Sequence, residues 1–154
     1  MAGNIEARLA DLGIVLPDAP APAANYVPFV RDGNTVYISG QISQANGDLI
    51  CGKLGAELTV EQGADAARTC AIGIIAQARA ACEGDLDRVD RIIKLTGFVN
   101  STADFTDQPK VVNGASDLMV AVFGDAGRHA RAAVSAGSLP LGVAVEIEAI
   151  VRIT

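Results

Sequence analysis

The chain has 154 residues, with 12 Lys and Arg against 18 Asp and Glu, a net charge of −6 and a pI near 4.6. Half of it is hydrophobic but only 4% is aromatic, with no Trp, so it lacks both the positive field and the stacking surface of a general nucleic-acid binder. The length suits a single domain over residues 1–154, and the apolar surplus in so short a chain points to partner subunits.

The first residues carry acids and no apolar stretch of signal-peptide type, and no apolar run reaches membrane-spanning length. A soluble cytoplasmic protein is expected. Ile5, Leu9 and Leu12 share one helical face, and Gly13 stops that helix. A connector with Pro17, Pro20 and Pro22 follows, so residues 1–24 read as an N-terminal helix and a proline-rich extension. Tyr26 to Val30 reads as a strand, Arg31 to Asn34 as a turn, and Thr35 to Ser39 as a second strand. Gly40 at its end marks a bulge or a close backbone approach. Asn46-Gly47-Asp48 is another turn, and Gly52 to Gly55 a loop.

Thr59 and Gln62 have capping-box spacing and open a helix reaching about Cys82. Its stripe is Ala67, Ala71, Ile74, Ala78 and Ala81. Ile92 to Val99 is a third strand. Asp107 is placed to cap a further helix with Pro109 in its first turn, a buried face of Val111, Ala115, Leu118, Met119 and Val122, and Gly124 at its end. Asn113-Gly114 breaks local helix preference in that segment, as close-packing or functional positions do. The order ββ, α, β, α, ββ predicts an α+β two-layer domain: a mixed sheet with two helices on one face. The other face then needs cover from partner subunits.

The last stretch, His129 to Val151, carries the conspicuous chemistry. Arg131 lies among small and apolar residues in a short run. From Val143 to Ile153 the odd positions are apolar, and the even ones include Glu146, Glu148 and Arg152. A guanidinium in such a setting requires an anion. Glu146, Glu148 or a ligand carboxylate could supply it. His129 is the one histidine and reads as a surface or loop residue. No G-x-S-x-G surrounds a serine, and no phosphate-binding glycine motif is present. Cys51, Cys70 and Cys82 lack metal-site spacing. Twelve helical residues separate the last two by roughly 18 Å, so all three read as reduced. Lys53, Lys94 and Lys110 read as surface lysines. With one histidine and scattered acids, no metal site is expected.

Three motifs carry a resemblance: NYVPFV at Asn25 to Val30, YISGQIS at Tyr37 to Ser43, and A-R-x-x-V…LP…VEIEAI from Ala130 to Ile150. Together they make the chain similar to the RidA (YjgF) family of reactive-intermediate deaminases, over about Tyr26 to Arg152. The resemblance implies a chorismate-mutase-like fold and a homotrimer with sites in clefts between subunits. It implies that Arg131 binds a substrate carboxylate and that Glu146 orients or activates water. Tyr26, Gly40, Asn113 and Ala133 would line the pocket, Ala133 standing where the family pattern has Cys. His129 and Asp117 would belong to a remodelled cleft. The implied reaction is cofactor-free hydrolysis of an amino-acid-derived enamine or imine, such as 2-aminoacrylate, to a 2-keto acid and ammonia. The alternative is a non-catalytic binding protein for small carboxylate metabolites. A ribonuclease reading is disfavoured by the acidic charge and sparse aromatics.

Overall fold

A computed structural model describes residues 3–19 and 24–154; the connector prolines Pro20 and Pro22 lie outside the described residues. The elements are α1 (Asn4–Asp11), β1 (Phe29–Asp32), β2 (Thr35–Ile42), β3 (Gln44–Ala45), β4 (Asp48–Leu49), α2 (Val60–Ala81), β5 (Val89–Asn100), α3 (Gln108–Phe123), β6 (Ala130–Ala136) and β7 (Val145–Ile153). Five strands form one sheet in the order β1-β2-β7-β5-β6, with β5 and β6 parallel and all other neighbours antiparallel. The fold is the mixed-sheet α+β arrangement that the element order demands. No helix among the described residues is long and apolar enough to cross a membrane.

β7 sits at the sheet centre, and its alternation sets the two faces. Val145, Ile147, Ala149, Val151 and Ile153 are buried, while Glu146, Glu148, Ile150 and Arg152 point the other way. α2 packs over β2 and β7, and α3 over β5 and β6, so both helices cover the Val145 side. The opposite face carries Tyr37, Val134 and Val30, respectively 49%, 45% and 54% exposed. The hydrophobic effect therefore closes one face of the sheet within the chain and leaves apolar area on the other.

α2 begins with the capping box: Thr59 Oγ1 accepts from Gln62 N, and Gln62 Oε1 accepts from Thr59 N. Its five-residue small and aliphatic stripe is buried as its spacing requires. At the α2–α3 crossing the helices touch through Gly114, where a Cβ would collide with the backbone carbonyl of Ala64. That close approach explains the helix-breaking glycine.

Several local expectations need correction. The first strand starts at Phe29 and runs to Asp32. Pro28 has no N–H to give a ladder, and the preceding backbone turns instead to Ser39, whose N–H donates to Pro28 O and whose hydroxyl donates to Val27 O. Asp107 occupies the N-cap of α3, but its side chain caps nothing. Its carboxylate pairs with Lys110 at 3.3 Å. Leu12 is 40% exposed, and Ile14, past the turn at Gly13, takes the buried place beside Leu9. Lys53 is no solvated lysine: its Nζ donates to Asn100 Oδ1 and Gly137 O, both at 2.7 Å.

α1 has no side-chain cap of its own. Asp87, in the turn before β5, accepts from the N–H groups of Asn4 and Ile5, both at 2.9 Å. These two bonds favour the carboxylate and hold it below the usual range. The bonds are therefore fully present above the ordinary Asp pKa and lost as pH falls through the lowered value. Asp87→Ala is expected to release α1 at neutral pH. Limited proteolysis should then cut ahead of Gly13 in the variant while the wild type resists; equal resistance would show that Leu9 packing alone holds the helix.

Candidate active site

The residues singled out from the sequence fall into two groups. Arg131 leads the first, two residues into the edge strand β6 and opposite Leu95 of β5. Its Nη1 donates to Asn113 Oδ1 at 2.8 Å and to Ser116 Oγ at 3.1 Å, and its Nη2 donates to Pro109 O at 3.2 Å. All three acceptors belong to α3, so the guanidinium lies on the helix side of the sheet. Ala133, two residues on, lies on that side too and packs against the core.

Neither Glu146 nor Glu148 meets Arg131. β5 lies between β6 and β7, and both glutamates occupy the opposite face from the residues that pair with the Arg131 row. The cause is topological: β5 is inserted between β6 and β7, so these consecutive strands are not neighbours and form no hairpin. Among the described residues no carboxylate lies within salt-bridge distance of Arg131; the ion pairs there are Arg88–Glu83, Lys110–Asp107, Arg128–Asp125 and Arg152–Asp90. Its three neutral acceptors engage three of the five N–H donors of a guanidinium. The remaining two have no partner among the described residues, and the side chain is only partly buried.

The second group surrounds the bulge in β2, where the pairing with β7 shifts between Ile38 and Gln41. Gly40 lies in this bulge. A Cβ there would stand 2.5 Å from Glu146 Oε1, so only glycine lets the carboxylate lie against the strand. Both readings of Gly40, bulge and close approach, hold. Glu146 is half-buried beside it. Loss of hydration, and then the nearby Glu148 charge, push its carboxyl above the usual range. Tyr26 is 55% exposed and leads into the Val27–Pro28 backbone that Ser39 binds. The chain thus joins Arg131, Asn113 and Ala133 at one place and sets Gly40 against Glu146 at another. It does not join the two.

Sequence reasoning missed the surroundings of Arg131. His129 is no free surface histidine. Its Nε2 lies 2.8 Å from Ser116 Oγ and its Nδ1 lies 2.6 Å from Gly127 O. The spacing of Ser116 from Asn113 on α3 was the available signal, since i and i+3 share a helix face. Asp117, the neighbouring position, is exposed and makes no bond to this cluster. A larger cavity of about 510 Å³ lies elsewhere, between Leu16, Gln41, Asn46, Thr69 and Ile72. It is mainly apolar and contains neither group of candidate residues, so size alone does not locate the chemistry here.

Residues 6–150 match the family described as "YjgF/chorismate_mutase-like, putative endoribonuclease". The chain belongs to the YjgF/RidA family. It is 51% identical to Protein TCP17 of Trypanosoma cruzi over 154 residues, covering 99% of this chain and 96% of that protein. The crystal structure of Atu1372 from Agrobacterium tumefaciens, described as of unknown function, superposes with a TM-score of 0.92 at 48% identity, covering 97% of this chain and 92% of that one. The structure of TdcF from Escherichia coli with bound serine superposes with a TM-score of 0.63 at 26% identity, covering 88% and 94%. YjgF/RidA membership accounts for the fold and for the shared motifs.

Proposed function

We propose that this chain hydrolyses small amino-acid-derived enamines or imines to 2-keto acids and ammonia. The observation that carries the reading is Arg131: a partly buried guanidinium, fixed by three neutral acceptors, whose two further N–H donors meet no partner, and no carboxylate, among the described residues. Such a group suits a ligand carboxylate, which two parallel N–H donors bind in a fixed orientation. The bound serine in the TdcF relative, an amino acid, is in keeping with that ligand class. Glu146, its carboxyl pushed above the usual range by loss of hydration and by Glu148, has the chemistry of a general base for water. Asn113 holds Arg131, and Tyr26, Gly40 and Ala133 shape the walls.

Arg131 and Glu146 lie on opposite faces of one sheet, so the reading requires a second copy to bring them together. A homotrimer with inter-subunit clefts does so and covers the apolar sheet face as well. Light scattering at micromolar concentration is expected to give three times the chain mass; a monomer would remove both the cover and the composite cleft. The same separation favours the alternative, a protein that holds a carboxylate metabolite on Arg131 and activates no water.

The deciding assay measures ammonia and pyruvate released from 2-aminoacrylate generated in situ. Wild type is expected to accelerate release, and Glu146→Gln to lose about 100-fold. On the acid side the rate should rise with pH through the raised Glu146 value, because the carboxylate is the active form. The linkage runs the other way for stability: the raised value favours the protonated folded state, so that contribution is present at low pH and lost as pH climbs through it. Binding of pyruvate without any acceleration of release would establish the non-catalytic alternative.

A further inference from the structure

The hydrogen bonds around Arg131 form a chain with one consistent direction. Gly127 O can only accept, so His129 Nδ1 carries a hydrogen and donates to it. In the neutral imidazole Nε2 is then the acceptor, and Ser116 must turn its hydroxyl hydrogen toward it. Ser116 Oγ is left with lone pairs, one of which takes the Arg131 Nη1 hydrogen. A base, a hydroxyl and an anion-binding group thus stand in line, with the base oriented by a third group.

We propose that Ser116 and His129 are the proton-carrying pair of the Arg131 site, so that a carboxylate ligand binds there together with a proton on His129. Of the charged groups on the neighbouring elements, Arg131 is the one whose field bears on the imidazole. From β6 comes Arg131; from the turn before it, Asp125, which pairs with Arg128; from β5, Arg91, whose Nη2 donates to Arg128 O; from α3, the exposed Asp117. Burial first, and then the Arg131 charge, hold the empty-site imidazole below its ordinary range. A carboxylate on Arg131 offsets that charge and lets the ring take up a proton. His129 Nε2–H must then donate to Ser116 Oγ, which frees the hydroxyl hydrogen to turn toward the ligand.

This deepens the deaminase reading and rests on it for the chemical step. Ser116 gives its hydrogen to the methylene carbon of a bound enamine as His129 Nε2–H replaces it. The C=C π pair forms the new C–H bond, and the nitrogen lone pair forms the C=N bond. Water adds to the iminium carbon, its proton passing to Glu146, and the C=N π pair returns to nitrogen. Glu146 then protonates that nitrogen. Ammonia leaves as the carbinolamine O–H becomes the keto C=O, and the hydroxyl proton returns to His129. One enamine and one water give one 2-keto acid and one ammonia, with Ser116, His129 and Glu146 all restored.

The chain has one histidine, so its imidazole can be titrated by NMR without assignment. With pyruvate as probe, the midpoint is expected to rise by about one pH unit in wild type and to stay fixed in Arg131→Ala. An unmoved wild-type midpoint at saturating pyruvate overturns the proposal. His129→Gln keeps an acceptor for the Ser116 hydroxyl but carries no proton. It is expected to bind pyruvate with an affinity that no longer varies with pH across the imidazole range, and to lose about 100-fold in turnover of 2-aminoacrylate; turnover equal to wild type overturns the proposal. Should wild type itself release no pyruvate, the deaminase reading falls, and the NMR titration alone decides the proton coupling.

Discussion

Arg131→Ala is expected to abolish carboxylate binding while the fold survives. A charged, hydrogen-bonded pair loses about 2–4 kcal/mol when one partner is truncated, which is roughly a 30- to 1,000-fold weaker affinity. Arg131 is only partly buried and makes no ion pair within the described residues, so its removal leaves no stranded charge. Water can reach Asn113, which is exposed, and Ser116, which is partly so. The thermal midpoint should therefore move little. Arg131→Lys retains the positive charge but not the fork, and should recover only part of the lost affinity. Pyruvate titrated by calorimetry against the three proteins measures the effect. An affinity in Arg131→Ala equal to wild type would place the anion site elsewhere.

Gly114→Ala should be the most damaging methyl group that can be added to the helical layer. The new Cβ would collide with the Ala64 carbonyl, a backbone atom of α2 that cannot swing aside as a side chain can. Overpacking of this kind costs about 1–3 kcal/mol or more. The gain in helix propensity, about 1 kcal/mol, offsets only part of it. A net loss near 2 kcal/mol corresponds to a melting temperature lower by about 4–8 °C for a domain of this size. The change should also reach the site, because Asn113 and Ser116 flank Gly114 on α3 and hold Arg131. Weaker pyruvate binding should accompany the lower melting point. Unchanged melting would mean that α2 and α3 can separate freely at this crossing.

Much of this layout is legible in the residues. The capping box at Thr59 and Gln62, the buried stripes of α2 and α3, and the alternation of β7 are local patterns with a fixed physical period, and each forms as its spacing requires. Asn113-Gly114 was visible as a local conflict, and its two residues proved to do different things: one binds Arg131 and the other lets two helices touch. Strand ends were less legible. Pro28 and the Ser39 bonds that displaced the start of β1 depend on a partner segment 11 residues away, which no local window contains.

What the sequence by itself determined is the α+β class, the two faces of β7 and the bulge glycine, because propensity and period act within a few residues. What only the tertiary structure decided is which groups meet. The register of β6 on β5 set Arg131 beside Leu95 on the helix side, the face opposite to that of Glu146 and Glu148 on β7. The same pairing brought His129 against Ser116 and made an apparently idle histidine part of the arginine cluster. Strand order is settled by the packing of the whole sheet against its helices, and the residues of β6 and β7 do not encode it on their own.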